Sequence, residues 1–174
     1  GNVGLGHRRL SIIDLSAAGF QPMVSADHRY WLSYNGEVYN FRELRSELEA
    51  KGYWFRSQTD SEVVLNALAE WGTKALDRFN GMFAFALWDR KDRTLLLARD
   101  RYGIKPLYTS LQNNTFAFGS EQKAILAMPE FKRQVDKPAL LEYFTFQNIF
   151  TDTPLFVGIK ILPAGYYATL DLKI

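Results

Sequence analysis

Polar side chains that could bind a small charged ligand are concentrated in three short segments in the first third of the chain. They are residues 8–14 (RRLSIID), 35–40 (NGEVYN) and 59–62 (TDSE). The guanidinium of an arginine can bind a carboxylate with two parallel hydrogen bonds. The side-chain amide of an asparagine and the N–H of a neighbouring glycine can both donate to a negatively charged oxygen. Read alone, however, each segment also has an ordinary structural explanation.

The structural alternatives are specific to each segment. Asn35–Gly36 on its own is the commonest short pattern for a hairpin turn. Thr59 or Asp60 would cap a following helix, and the Asp60 carboxylate could serve as a cap and as a ligand at once. Arg9 alone is an exposed strand arginine, with Arg8 pointing to the opposite side because side chains alternate along a strand.

Two kinds of site are excluded by residue counts. The 174 residues contain no cysteine, so disulfides, thiolate metal sites and a cysteine nucleophile within this chain are ruled out. His7 and His28 are too few for a metal site with the usual partners, and neither has the neighbours of a catalytic triad. We therefore expect no metal in this chain.

The composition indicates a soluble, globular protein with a sizeable core. Hydrophobic residues make up 47% of the chain, which excludes a disordered polypeptide, and no apolar run reaches the roughly 20 residues of a membrane span. The 21 basic and 19 acidic residues are mixed along the sequence. Without a one-sided basic surface, nucleic acid is not an expected partner.

Helical spacing of apolar residues predicts two helices, one after the second polar segment and one that begins within the third. The first covers about 41–51, with Asn40 and Glu43 as an N-terminal capping pattern and Gly52 as the stop. The second covers about 61–71, behind the capping pattern of the third polar segment. Shorter helices are expected near 121–127 and 137–144, and the aromatic residues 143, 144 and 146 are interpreted as core packing.

Strands are predicted on both sides of these helices, at 5–15, 30–34, 82–88, 94–98, 107–111, 115–119 and 165–172. Residues 82–88 are apolar without alternation, which is typical of a strand covered on both faces. The short strands after residue 94 are separated by polar turns, as in consecutive antiparallel hairpins. Amphipathic helices beside doubly covered strands favour an α+β, four-layer α/β/β/α sandwich.

Six segments, in this order, make the chain similar to the glutaminase domain of class II glutamine amidotransferases, in the asparagine synthetase family. Beyond the three polar segments they are residues 81–86 (GMFAFA), 99–108 (RDRYGIKPLY) and 120–124 (SEQKA). The resemblance covers nearly the whole chain. It implies an N-terminal-nucleophile hydrolase fold and a cytoplasmic location. In that family an N-terminal cysteine hydrolyses glutamine, with its own amino group as base, and the ammonia passes to an ATP-dependent domain.

The resemblance also implies roles for five residues. Arg9 resembles the arginine that binds the α-carboxylate of glutamine. Asn35 and Gly36 resemble the oxyanion hole, with the Asn amide and the Gly N–H as donors, and one such donor contributes about 3 kcal/mol. Glu37 and Asp60 resemble the acidic residues near the α-ammonium group. Asp60 is the stronger candidate, although capping of the following helix is a competing role for its carboxylate.

The chain departs from the family in two respects. It is expected to be a single glutaminase domain over residues 1–174, lacking the first strand segment with its cysteine and the synthetase domain. L-Glutamine and that synthetase domain are the expected partners, and ATP and magnesium are expected only in the latter. A sheet edge exposed by the missing strand would favour self-association.

Without a thiolate we expect this polypeptide to bind glutamine but not to hydrolyse it. The alternative is a non-catalytic amino-acid-binding or protein-interaction module that keeps the fold, since a fold alone does not guarantee activity.

Overall fold

The computed structural model describes residues 3–8, 19–147, 151 and 153–172. Its strands are β1 (Met23–Val24), β2 (Tyr30–Val38), β3 (Gly81–Asp89), β4 (Thr94–Arg99), β5 (Tyr108–Gln112), β6 (Thr115–Gly119), β7 (Ile159–Ile161) and β8 (Tyr167–Asp171). Its α-helices are α1 (Phe41–Ala50), α2 (Asp60–Trp71), α3 (Gln122–Leu126) and α4 (Lys137–Phe146), and a 3-10 helix covers Gly72–Asp77. None of the helices in these ranges is both long and apolar enough to cross a membrane.

Two antiparallel sheets are formed by the described strands. The larger has the order β1-β2-β3-β4-β8 and the smaller the order β6-β5-β7. Strand β3 lies at the centre of the larger sheet, pairing along its length with β2 and with β4. Its position explains its uninterrupted apolar sequence, because both of its faces are covered.

The alternating faces of β3 divide the core into layers. Phe83, Phe85 and Leu87 pack in one cluster with buried residues of α1 and α2. Ala84 and Ala86 pack on the other side, in a cluster that includes Phe116 and Phe118 of β6. On the far face of the smaller sheet, Ile125 of α3 joins a third cluster with Ala117 and Ile159. The order of layers is therefore α/β/β/α, as predicted.

The two long helices confirm the expectation from apolar spacing, but one of the predicted caps is wrong. At α2 the Thr59 side chain accepts a hydrogen bond from the Glu62 N–H, as the capping pattern predicted. At α1, Asn40 makes no side-chain cap. Its amide instead joins two backbone groups of the loop before β3, donating to Arg78 O and accepting from Asn80 N–H, each at 3.0 Å. A long-range partner replaced the local one.

Three further expectations are corrected. Residues 3–8 are not in a strand, and the rest of the predicted strand 5–15 lies mostly outside the described residues. Strand β2 continues past its predicted end through Asn35 and Gly36, which are not a turn. The aromatic residues of α4 are not core, because Phe144 is 73% and Phe146 59% exposed, and within the described residues Ala139 is the one buried residue of that helix.

Candidate functional site

A cavity of about 730 Å³ lies between the two sheets, beside the outer edge of β2. One wall is formed by residues 33–37 of β2 and the start of α2, and the other by residues 105–107 and the segment 118–121. Its size is within the range of small-molecule sites. Asn35, Gly36, Glu37 and Asp60 all line it, so four of the five predicted site residues are brought together.

The backbone N–H of Gly36 points toward this cavity. In an antiparallel pair, residues that exchange hydrogen bonds alternate with residues that do not. The bonds Tyr39 N–H to Asn80 O and Arg90 N–H to Arg29 O continue the β2–β3 register and place the bonded pairs at odd-numbered β2 residues. The N–H of Gly36 is therefore directed away from β3, toward the open edge of the sheet.

Side chains occupy the neighbouring N–H groups on this edge. Tyr34 N–H donates to Gln21 Oε1 at 2.6 Å, and Val38 N–H donates to Asp60 Oδ2 at 3.0 Å. Gly36, between them, has no hydrogen-bond partner among the described residues. An N–H without a partner, beside a polar cavity, is a donor available to a ligand.

Gly36 is a glycine because β2 and β3 approach each other closely at this point. A Cβ on Gly36 would lie 2.3 Å from Met82 O and 2.7 Å from Phe83 Cα. Two positions along the same strand pairing, a Cβ on Gly81 would lie 2.2 Å from Glu37 O. The backbone here leaves no space for a side chain at either position.

The Asn35 side chain lies on the face of β2 that meets the second sheet. Tyr34 and Val38 pack among the core residues on the helix side, so the odd-numbered residues between them face the opposite way. The Asn35 amide forms no hydrogen bond with another described residue. It can therefore donate its N–H groups into the cavity, close to the Gly36 N–H.

Asp60 is the first residue of α2 and is only 5% exposed. Because Thr59 caps the helix, the Asp60 carboxylate is not used as the cap, which resolves the alternative left open by the sequence. Its Oδ2 accepts two hydrogen bonds from β2, from Val38 N–H and from Tyr34 Oη at 2.8 Å. Oδ1 has no donor among the described residues, which leaves one carboxylate oxygen for a ligand.

The charges around the cavity are of both signs. Carboxylates come from Glu37, Asp60 and Glu121, and cations from Arg8 and Lys105. Arg8 was expected to point away from the site by strand alternation, but residues 3–8 are not a strand and Arg8 lines the cavity. Arg9, the predicted carboxylate ligand, lies outside the described residues.

Lys105 is held at the cavity by a loop organised around Asp100. This carboxylate, 1% exposed, accepts backbone hydrogen bonds from Phe83, Tyr102, Ile104 and Lys105 at 3.0 to 3.2 Å. Burial alone would raise the pKa of Asp100, but these four N–H groups outweigh it and lower the pKa below its usual value. The charged carboxylate thereby fixes the path of the chain into Pro106 and Leu107.

Two residues of the site were missed from the sequence. Gln21 and Tyr34 both line the cavity and bond to its wall, yet Gln21 reads as a loop residue and Tyr34 as an ordinary apolar strand residue. The only available signal was the position of Tyr34 directly before Asn35. No group of His, Cys, Asp and Glu in the described part of the chain could hold a metal ion.

The arrangement suits a zwitterionic ligand with a polar carbonyl group. Carboxylates at one side can accept from an ammonium group, cations can pair with a carboxylate, and two donors at Asn35 and Gly36 can bind an oxygen on which charge develops. No nucleophilic thiol is present in the 174 residues. These residues can bind and polarise such a ligand.

A solved structure shares this fold. The glutamine phosphoribosylpyrophosphate amidotransferase of B. subtilis, complexed with ADP and GMP, matches with a TM-score of 0.60 and 22% identity, over 75% of this chain and 30% of that one. The likeness confirms the predicted α+β sandwich of the N-terminal-nucleophile hydrolase type.

Two curated proteins are more similar to this chain in sequence than that structure is. The chain is 41% identical to asparagine synthetase [glutamine-hydrolyzing] 1 of Bacillus subtilis (strain 168) over 97% of its length, and 44% identical to number 3 of the same organism over 98%. It spans 26% and 28% of the length of these relatives. With a family match that runs over residues 1–173, the chain belongs to the glutamine amidotransferase domain family.

Proposed function

We propose that the cavity beside β2 binds L-glutamine and that these residues form the glutaminase half of a glutamine-hydrolysing synthetase. The observation that carries the proposal is the Gly36 N–H, which has no hydrogen-bond partner among the described residues, lies between two occupied N–H groups and faces a cavity lined by charged and polar side chains. Such a donor is what amide hydrolysis requires, because charge develops on the carbonyl oxygen in the transition state.

Each end of glutamine has a partner in this proposal. Asn35 and Gly36 bind the side-chain carbonyl oxygen, and Asp60, with Glu37 beside it, binds the α-ammonium group. Arg9 binds the α-carboxylate. The mixed charges of the cavity wall support a zwitterionic ligand, because its ammonium and carboxylate groups each need a partner of opposite charge.

Hydrolysis needs a group that these residues do not contain. Asn35 and Gly36 can polarise a carbonyl carbon but cannot attack it, and no cysteine stands among the 174 residues. In our proposal the thiolate comes from a segment outside this sequence, and the chain alone binds glutamine without releasing ammonia. The names of its relatives, which are glutamine-hydrolysing asparagine synthetases, support a synthetase domain that uses the ammonia to amidate aspartate or a similar acid. In our proposal, ATP and magnesium act only in that domain.

Calorimetric titration of the 174-residue chain with L-glutamine, alongside an ammonia-release assay, tests this function. We expect saturable binding without ammonia, and binding at least tenfold weaker in Asp60→Asn, since the ammonium group loses a charged partner. Arg9→Ala and Arg8→Ala are compared directly. A loss of glutamine binding in Arg8→Ala alone would mean that Arg8, and not Arg9, binds the α-carboxylate of glutamine. Arg133→Ala, whose guanidinium bonds to Leu126 O away from the cavity, is the control.

Ammonia release by the chain would contradict the requirement for an external thiolate. Equal binding by Asp60→Asn and by the unsubstituted chain would contradict the ammonium site. The second candidate function is an amino-acid-binding module without catalysis, which the same charged and polar cavity lining would serve. It would be supported if joining a cysteine-bearing N-terminal segment to the chain left it able to bind glutamine but unable to release ammonia.

A further inference from the structure

The buried phenol of Tyr34 is bonded to the carboxylate of the candidate site. Tyr34 is 3% exposed and packs in the core between the larger sheet and the helices. Its Oη donates to Asp60 Oδ2 at 2.8 Å, and both groups are buried. Burial raises the pKa of Tyr34 well above its usual range, and the nearby Asp60 charge adds to the effect, so the phenol remains a donor at neutral pH.

Two bonds from the same strand determine where the Asp60 carboxylate sits. Tyr34 supplies a side-chain donor and Val38 a backbone donor, and both reach the single oxygen Oδ2. These two residues lie on either side of the segment Asn35–Glu37, which carries the proposed oxyanion donors. The position of the carboxylate is thereby tied to that segment.

We propose that Tyr34 is a positioning residue that fixes Asp60 for the α-ammonium group of the substrate and so contributes to the selection of glutamine. The inference rests on the proposed function. With Oδ2 occupied by two donors, Oδ1 is the oxygen presented to the ligand, and the carboxylate cannot rotate without breaking one of the bonds. The distance between the ammonium-binding oxygen and the Gly36 N–H is then set by β2 itself.

A fixed distance of this kind discriminates among amino acids. An ammonium group and an amide carbonyl at the separation found in glutamine engage both ends, whereas the shorter asparagine can engage only one. Without the Tyr34 bond, the Asp60 carboxylate keeps its Val38 partner but gains rotational freedom. We expect weaker glutamine binding and poorer discrimination, because part of the binding energy is used to order the carboxylate.

A purely structural role would have a different signature. Buried tyrosine hydroxyls generally find a partner, so the bond to Asp60 could serve only the folded state. In that case its loss would weaken all ligands equally or lower stability without changing selectivity. A ligand that lacks the ammonium group separates the two roles, because it makes no use of Asp60.

The experiment measures the affinity of Tyr34→Phe for L-glutamine and for glutaramate, which is glutamine without its α-ammonium group. We expect about tenfold weaker binding of L-glutamine and less than a twofold change for glutaramate, as for the loss of one charge-assisted hydrogen bond. Tyr53→Phe is the matched control. The Tyr53 Oη donates to Glu70 Oε2 at 3.1 Å, and Glu70 lies in α2, as Asp60 does. The control therefore removes a tyrosine hydroxyl that is bonded to a carboxylate of the same helix, away from the cavity.

Three outcomes would overturn the inference, and they are distinguishable. If Asp60→Asn binds L-glutamine more weakly but Tyr34→Phe binds it with normal affinity, Asp60 keeps its role as the ammonium partner and Tyr34 has no positioning role. If Tyr34→Phe weakens glutaramate as much as L-glutamine, the role of Tyr34 is structural. If the unsubstituted chain does not bind L-glutamine at all, the proposed function fails and the inference fails with it. Circular dichroism of each variant establishes that it is folded before the titrations.

Discussion

Replacing Asp100 with asparagine should destabilise the protein strongly, although the two side chains have nearly the same shape. Oδ1 accepts from Tyr102 and Ile104, and Oδ2 accepts from Phe83 and Lys105. An asparagine amide has one oxygen and one NH₂ group. Whichever way it is oriented, two backbone N–H groups face another donor instead of an acceptor.

The magnitude follows from these two lost bonds. A donor left unsatisfied in the interior costs about 1–3 kcal/mol, so two cost about 4 kcal/mol. That is a large share of the 5–15 kcal/mol by which a domain is typically stable. With a urea dependence of about 2 kcal/mol/M, the unfolding midpoint should fall by about 2 M.

Urea unfolding followed by the fluorescence of the four tryptophans measures the effect. Asp92→Asn is the control, since its side chain is 51% exposed and its ion pair with Arg29 lies at the surface, and it should change the free energy of unfolding by less than about 1 kcal/mol. A loss below about 1 kcal/mol in Asp100→Asn would refute the reasoning, because it would mean that water or backbone movement satisfies the two donors.

Other perturbations test other parts of the structure. Gly36→Ala should cost about 3 kcal/mol or more by thermal or urea unfolding, because the new Cβ meets backbone of β3, whereas Gly4→Ala, with nothing within 4 Å, should be near neutral. Arg29→Lys should cost about 1 kcal/mol by replacing a forked pairing with Asp89 by a point charge, and a stability unchanged at low salt would count against that pairing. Hydrogen bonds outweigh burial and lower the folded-state pKa of both Asp89 and Asp100. Their contribution should be complete above about pH 5 and lost as pH falls through those lowered values, which unfolding measured from pH 7 to pH 3 would show.

The regular elements could be predicted because their signals are local. Leu44 and Leu48 recur at helical spacing and are buried in α1, and the uninterrupted apolar run around Phe85 became the central strand. The strand position of Asn35–Gly36 was not predicted, since the predicted strand ended at residue 34 and the local preference of the pair is for a turn. Pairing of Gly36 with Phe83 across the sheet overrode that preference.

The unpredicted parts of the site depend on contacts between distant residues. Asn40 was expected to cap α1, but its amide is used by the loop before β3, and nothing near residue 40 reports that loop. In the same way, Tyr34 finds its carboxylate and Gln21 its N–H group only once β2 lies beside them. Local pattern identifies such residues as core or loop and does not identify their partners.

The close approach at Gly36 and Gly81 has a consequence for the tolerance of the chain to substitution. The two glycines occupy opposite strands, and the space that each lacks is taken by the backbone of the other strand. In a saturation library both positions should therefore reject every other residue, although Gly81 is not among the residues that line the cavity. Since each position fails for its own steric reason, no second substitution at the partner glycine should rescue the first. Engineering of ligand selectivity at this cavity is thus better directed at the side chains around this backbone than at the backbone itself.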